Sequence, residues 1–133
     1  MTEAEMRGHR CCFTGHRPEK LLCSKEQITT DLTTAIDNAI SDGYRTFISG
    51  MAMGVDIWAA QIVLEKKTVL PGLHLICALP FPGFGDRWPS QWSDAYREII
   101  AQADLVKNIS PAEYVGRILH PAAAVFYSCG GEI

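Results

Sequence analysis

Short apolar runs alternate along the chain with longer stretches whose apolar positions recur every three to four residues, the pattern of strands set between amphipathic helices. Residues 9–14 (HRCCFT) form an apolar run that stops at Gly15 and predicts a buried strand. Ser24 with Gln27 three residues later makes a capping-box pattern. From there Ile28, Leu32, Ala35, Ile36, Ala39 and Ile40 hold the helical period as far as Asp42-Gly43, where a glycine can take the left-handed cap. Residues 44–49 (YRTFIS) predict a second strand, which runs into Gly50-Met51-Ala52-Met53-Gly54. Beyond it Val55, Ala59, Ile62 and Val63 mark a second helix, closed by Lys66-Lys67 where cations complement the negative end of the helix dipole. Pro71-Gly72 makes a turn, residues 73–79 (LHLICAL) predict a third strand, and Pro80-Phe81-Pro82-Gly83 cannot continue a central ladder. A third helix presents Trp92, Tyr96, Ile99, Ile100 and Ala103, and a fourth strand starts at Leu105.

Strands separated by helices of this length imply βαβ units with right-handed crossovers, hence an α/β fold with an open, doubly wound parallel sheet. In such sheets ligands bind beyond the carboxyl ends of the strands, so the loops at 14–18, 49–56 and 80–88 are expected to face one common site. A length of 133 residues leaves room for a single core, so the chain reads as one domain over 1–133. The net charge of −3 supplies no global basic field, which argues against nucleic-acid binding by bulk counterion release and leaves only a local patch. No run approaches the roughly 18 apolar residues of a membrane span, and the polar start MTEAEMRGHR lacks a secretory h-region. A cytoplasmic protein is expected. The 5 cysteines, at 11, 12, 23, 77 and 129, show no CxxC pair or histidine spacing of a zinc framework and read as free thiols, so no metal is expected.

The loop 49–56 carries the most chemistry. Two glycines four apart between a strand end and a helix start let Gly50 and Gly54 take unusual backbone angles, and leave amides around Met51 aimed at an anion that the helix dipole also favours. The same glycines serve equally to make the turn and pack the helix. Neither a Walker A loop nor the full GxGxxG spacing is present. Ser49 borders the loop without a nucleophile elbow around it, and Asp56 either caps the helix or accepts from a ribose hydroxyl. Thr14, Gly15, His16, Arg17 and Pro18 lie at the end of the first strand, Arg17 suited to bidentate phosphate contact and His16 to a switchable donor or acceptor. His9, His74 and His120 read as ordinary. Pro80 and the aromatic rim of Phe81, Phe84 and Trp88 could stack a nucleobase, while Trp92 belongs with Tyr96 in the core. Glu19 and Asp86 are candidate general bases, and no complete catalytic constellation stands out.

The runs CCFTGHRPEKL, FISGMAMGVDIWAAQ and LICALPFPG, followed by an aromatic-rich helix ending in AD, resemble the YpsA-like family of the SLOG superfamily. The Ser-Gly-x-Ala-x-Gly-x-Asp segment at 49–56 is also similar to that of the DNA-processing protein A (DprA) family. The resemblance covers about 9–110 and implies a Rossmann-like sheet that binds a nucleotide or nucleotide-derived ligand. Gly15, His16, Arg17, Ser49, Gly50, Gly54 and Asp56 match the family's presumed pocket. It implies no particular reaction and no cofactor, and a sensor or regulatory domain is the leading expectation. Relatives that cleave nucleoside-phosphate N-glycosidic bonds suggest an enzyme instead, but the Gly-Gly-x-Gly-Thr-x-x-Glu loop of such enzymes is missing. A DprA-like single-strand DNA binder is the third reading. Residues 111–133 match nothing usual for the family. That is the pattern of a shortened or altered end, such as a frame change produces, which would bare one side of the sheet and favour homo-oligomers. Residues 122–127 are expected to form a short strand or helix.

Overall fold

The computed structural model describes residues 10–15, 23–110 and 123–127. Its strands are β1 (Arg10–Gly15), β2 (Thr46–Ser49), β3 (His74–Leu79), β4 (Leu105–Asn108) and β5 (Ala123–Tyr127), and its helices are α1 (Lys25–Ser41), α2 (Val55–Lys67) and α3 (Ser90–Gln102). The sheet order is β4-β3-β2-β1-β5 and every neighbouring pair is parallel. This is a single-domain, Rossmann-like α/β fold. From β1 to β4 the sheet grows in one direction, and β5 then falls on the other side of β1, so the strand order reverses there. Of the two forms expected near 122–127, the chain takes the strand.

The helix ends follow from local chemistry. Ser24 caps α1, its hydroxyl accepting from the Gln27 N–H at 3.2 Å. Gln27 does not return the bond, because its side-chain amide donates to Asp31 instead. At the other end the Gly43 N–H donates to the Ile40 carbonyl and the Tyr44 N–H to the Ala39 carbonyl, with Gly43 at φ 102°. That paired closure satisfies two otherwise orphaned carbonyls. It also explains why β2 starts at Thr46 and not at Tyr44, whose amide is already engaged. Lys66 of α2 pairs with Asp37 of α1 at 3.0 Å.

Alternation along the strands sorts two cores. Cys11, Phe13, Phe47, Leu75, Cys77 and Leu79 point toward the helices and pack with Ile28, Leu32, Ile36, Ile57, Ala60, Val63, Tyr96 and Ile99. The Phe13 and Phe47 rings stack at 5.9 Å. On the other face Cys12, Ile48 and Ala78 gather with Ile109. Cys12 is 0%, Ile48 1% and Ala78 3% exposed, so the expected bare side of the sheet does not hold over β1 to β3. The turn after β4 contributes to that cover, since the Ile109 N–H donates to the Leu79 carbonyl at 2.7 Å and brings the Ile109 side chain onto Ala78. Cys11, Cys12 and Cys77 are buried thiols outside any disulfide, and burial pushes the Cys77 thiol up to about 12, as befits a small core hydrophobe. Cys23, outside the apolar runs, is disulfide-bonded, so the free-thiol expectation fails at that position.

Candidate functional site

Because all strands are parallel, β1, β2 and β3 deliver Gly15, Ser49 and Leu79 to the same edge of the sheet. The loop after β2 is the most constrained segment there. Ser49 is fully buried, its hydroxyl donating to the Asp56 carbonyl at 2.9 Å and accepting from the Met51 N–H at 3.1 Å. Met51 is buried with φ 61°, a left-handed conformation uncommon for a residue with a side chain. Gly54 stands at φ 97°, ψ −125° and starts α2 without any side-chain cap. At Met51 such an angle costs about 1–3 kcal/mol and persists where the surroundings enforce it, often at functional sites, whereas the glycine at 54 adopts its angles without that cost.

Asp56, in the first turn of α2, does not cap its own helix. Its carboxylate folds back over the loop, where Oδ2 accepts from the Ala52 N–H at 3.3 Å. A Cβ added to Gly50 would lie 3.2 Å from that oxygen, so the glycine leaves room for the carboxylate. Among the described residues Oδ1 accepts no hydrogen bond. Burial lifts the Asp56 carboxyl from its ordinary value of 3.8 to about 7, with the Ala52 amide acting in the opposite direction. The loop amides of Met51 and Ala52, expected to face an anion, are therefore engaged inside the loop, one with a hydroxyl and one with a carboxylate.

The other expected residues fall into three groups. Thr14 and Gly15 are the last positions of β1 and pair with Phe126 and Tyr127 of β5. His16, Arg17, Pro18 and Glu19 lie outside the described residues, as do His9 and His120. Pro80 follows β3 half-buried, and Trp88 is also half-buried. Trp88 meets Phe84 edge-to-face at 5.1 Å and Tyr96 at 5.6 Å, and Phe84 meets Phe81 at 5.3 Å. The rim aromatics thus form a ladder that fastens the loop to α3. Asp86 is exposed and lies 3.6 Å from the Arg97 guanidinium, the arrangement of a surface ion pair. His74 is exposed beside Asp104. Trp92 packs against the core as expected, but as a half-buried residue paired with Trp58 at 5.5 Å.

The sequence gives no sign that Asp56 reaches Ala52, because the link depends on the left-handed turn at Met51, which no glycine marks. Among the described residues no group of three His, Cys, Asp or Glu is placed to hold a metal ion, and no helix is long and apolar enough to cross a membrane.

The YpsA family model, described as the YspA SLOG family, matches residues 11–122. The chain belongs to this family. A UPF0398 protein of Bacillus pumilus is 30% identical over 107 residues, covering 76% of this chain and 58% of the relative. One of Brevibacillus brevis is 39% identical over 69 residues, covering 52% and 36%, and one of Lactiplantibacillus plantarum is 31% identical over 100 residues, covering 75% and 51%. The chain spans about half the length of the curated relatives it matches. Within the YpsA-family segment the glycine loop, Asp56 and the Ser49 bridge all fall inside the matched residues.

The bridge is testable. Ser49→Ala leaves the buried Met51 amide without its acceptor, so unfolding in urea is expected to show a loss of about 1–3 kcal/mol. A loss under about 0.5 kcal/mol, the range of an ordinary surface substitution, would mean that the hydroxyl is dispensable to the loop.

Proposed function

We infer that this domain binds a nucleotide or nucleotide-derived ligand at the carboxyl edge of its sheet, as a sensor or regulatory module. The reading is carried by one observation: a partly buried carboxylate, Asp56, with one oxygen held by the Ala52 amide and the other open, at the mouth of a strained glycine loop. An open carboxylate oxygen in that position calls for a hydroxyl donor, and a ribose supplies two side by side. It does not call for a phosphate, which the ionised form of Asp56 repels. The phosphate end of the ligand is assigned instead to the segment of sequence that follows β1, which carries Arg17. Proximity to β1, where strand order reverses, supports this placement, since ligands of open α/β sheets gather at such reversals.

Titration calorimetry with AMP, ADP and ADP-ribose, each against its deoxyribose counterpart, tests the assignment. Binding is expected for a ribonucleotide, at least about tenfold weaker for the deoxy form and for Asp56→Asn. The absence of heat from the whole panel, or equal affinity of ribose and deoxyribose forms, would remove the reading. Release of free base during the same titration would turn the module into an N-glycosidase with Asp56 as the acid–base group.

A further inference from the structure

The first turns of the three helices open a second recess, on the helix-covered side of the sheet. It is a cleft of about 280 Å³ lined by Lys25 of α1, Trp58 and Gln61 of α2, and Gln91 and Trp92 of α3. Residues two apart on a helix point about 200° away from each other, so Trp58 leaves α2 on nearly the opposite side from Asp56. The Trp58 and Trp92 rings are tilted by 41° and form a bent indole wall. Lys25 Nζ stands 5.9 Å from the centre of the Trp58 ring, at the outer limit of cation–π attraction. Among the described residues no carboxylate lines the cleft. Among the described residues Lys25 has no acidic partner, and the side-chain amides of Gln61 and Gln91 make no hydrogen bond. The recess therefore combines an apolar wall of two indole rings, one positive charge without an acidic partner at the positive end of α1, and two free amides.

We propose that this cleft is a second binding site, for a small planar organic anion. The ring lies on the Trp58–Trp92 wall, the anionic group takes the Lys25 ammonium, and ring substituents reach Gln61 and Gln91. The volume is at the lower end of small-molecule pockets, which limits the ligand to one or two rings with a short substituent. The site does not depend on Asp56 and stands or falls separately from the ribose reading above.

Indole N–H signals in nitrogen–proton correlation spectra report on the cleft directly, with Trp58→Phe and Trp92→Phe giving the assignments. The probes are 2-naphthoate against its neutral amide, and AMP against adenosine, so that a carboxylate and a phosphate anion are each compared with an uncharged partner. Saturable shifts of the Trp58 and Trp92 signals, with Trp88 unmoved, are expected for at least one anion. Binding should be about tenfold weaker or worse for the neutral partner and for Lys25→Gln, and within about threefold of the parent in Lys25→Arg. Lys25 is exposed, so these substitutions leave the core intact. Asp56→Asn should not alter the shifts. The proposal is overturned by no saturable shift from either anion, by equal binding of the neutral partner, by an unchanged affinity in Lys25→Gln, or by loss of binding in Asp56→Asn alone.

Discussion

Gly85→Ala is expected to be among the most damaging single-methyl additions in this chain, lowering stability by about 3 kcal/mol and the melting temperature by about 10 °C. A Cβ at Gly85 would lie 2.5 Å from Tyr96 Cγ, 2.6 Å from Tyr96 Cδ2 and 2.9 Å from Trp88 Cζ3. These are ring atoms of the edge-to-face ladder, and Tyr96 is 4% exposed with core residues around it. Neither ring can swing aside as the end of a lysine could, so the loop 80–89 must lift off α3 or α3 must shift on the sheet. Gly72→Ala is the matched control, because nothing lies within 4 Å of its added methyl. It should be neutral or slightly stabilising through the unfolded chain, by up to about 1 kcal/mol. Thermal unfolding of both variants decides it, and equal melting temperatures would show that the aromatic ladder yields freely.

Asp56→Asn is expected to raise stability at about pH 8 and to lose that advantage at about pH 4. Burial shifts the carboxyl from 3.8 to about 7, so between those values the folded protein holds a proton that the unfolded chain has released. The resulting contribution is fully present below 3.8, and is lost as pH rises through about 7. The whole shift corresponds to about 4 kcal/mol by linkage, and partial exposure of the side chain brings the expectation to about 2 kcal/mol. Asparagine carries no charge at any of these pH values and can still accept from the Ala52 N–H. Urea unfolding of parent and variant at about pH 4, 6 and 8 should give a difference that grows with pH and levels off above 7. A difference that does not change with pH would place the ionisation of Asp56 elsewhere. If the same variant also loses the nucleotide, a gain in stability accompanies the loss of binding, as expected when a carboxylate is kept in an unfavourable place for its ligand.

The element pattern was legible because it is local. Ser24, the apolar spacing of α1 and the glycine at 43 define a helix from both ends, and the structure keeps those ends. Strand starts were less legible: Tyr44 is diverted into closing α1, and Leu73 donates to the Leu70 carbonyl in the preceding turn, so β2 and β3 begin one or two residues late. Nothing local says that β5 lies beside β1, since apolar character does not encode an address in the sheet. The site divides in the same way. Gly50, Gly54 and Asp56 stood out by residue type, whereas the Asp56 clasp required the turn at Met51, and the Lys25–Trp58–Trp92 cleft assembles from three helices whose first turns are far apart in sequence.

The position of β1 has a consequence for how the chain is made. Its partner on one side, β2, follows after a single helix, but its partner on the other, β5, comes from beyond β4, with Cys11 beside Ala123. During synthesis the first four strands can assemble in order as they leave the ribosome, while β1 waits with one row of amides and carbonyls open. Until residues 123–127 emerge, the nascent protein carries an unpaired edge of β1 at what becomes the interior of the described sheet, and that interval is when it is most exposed to pairing with the wrong neighbour.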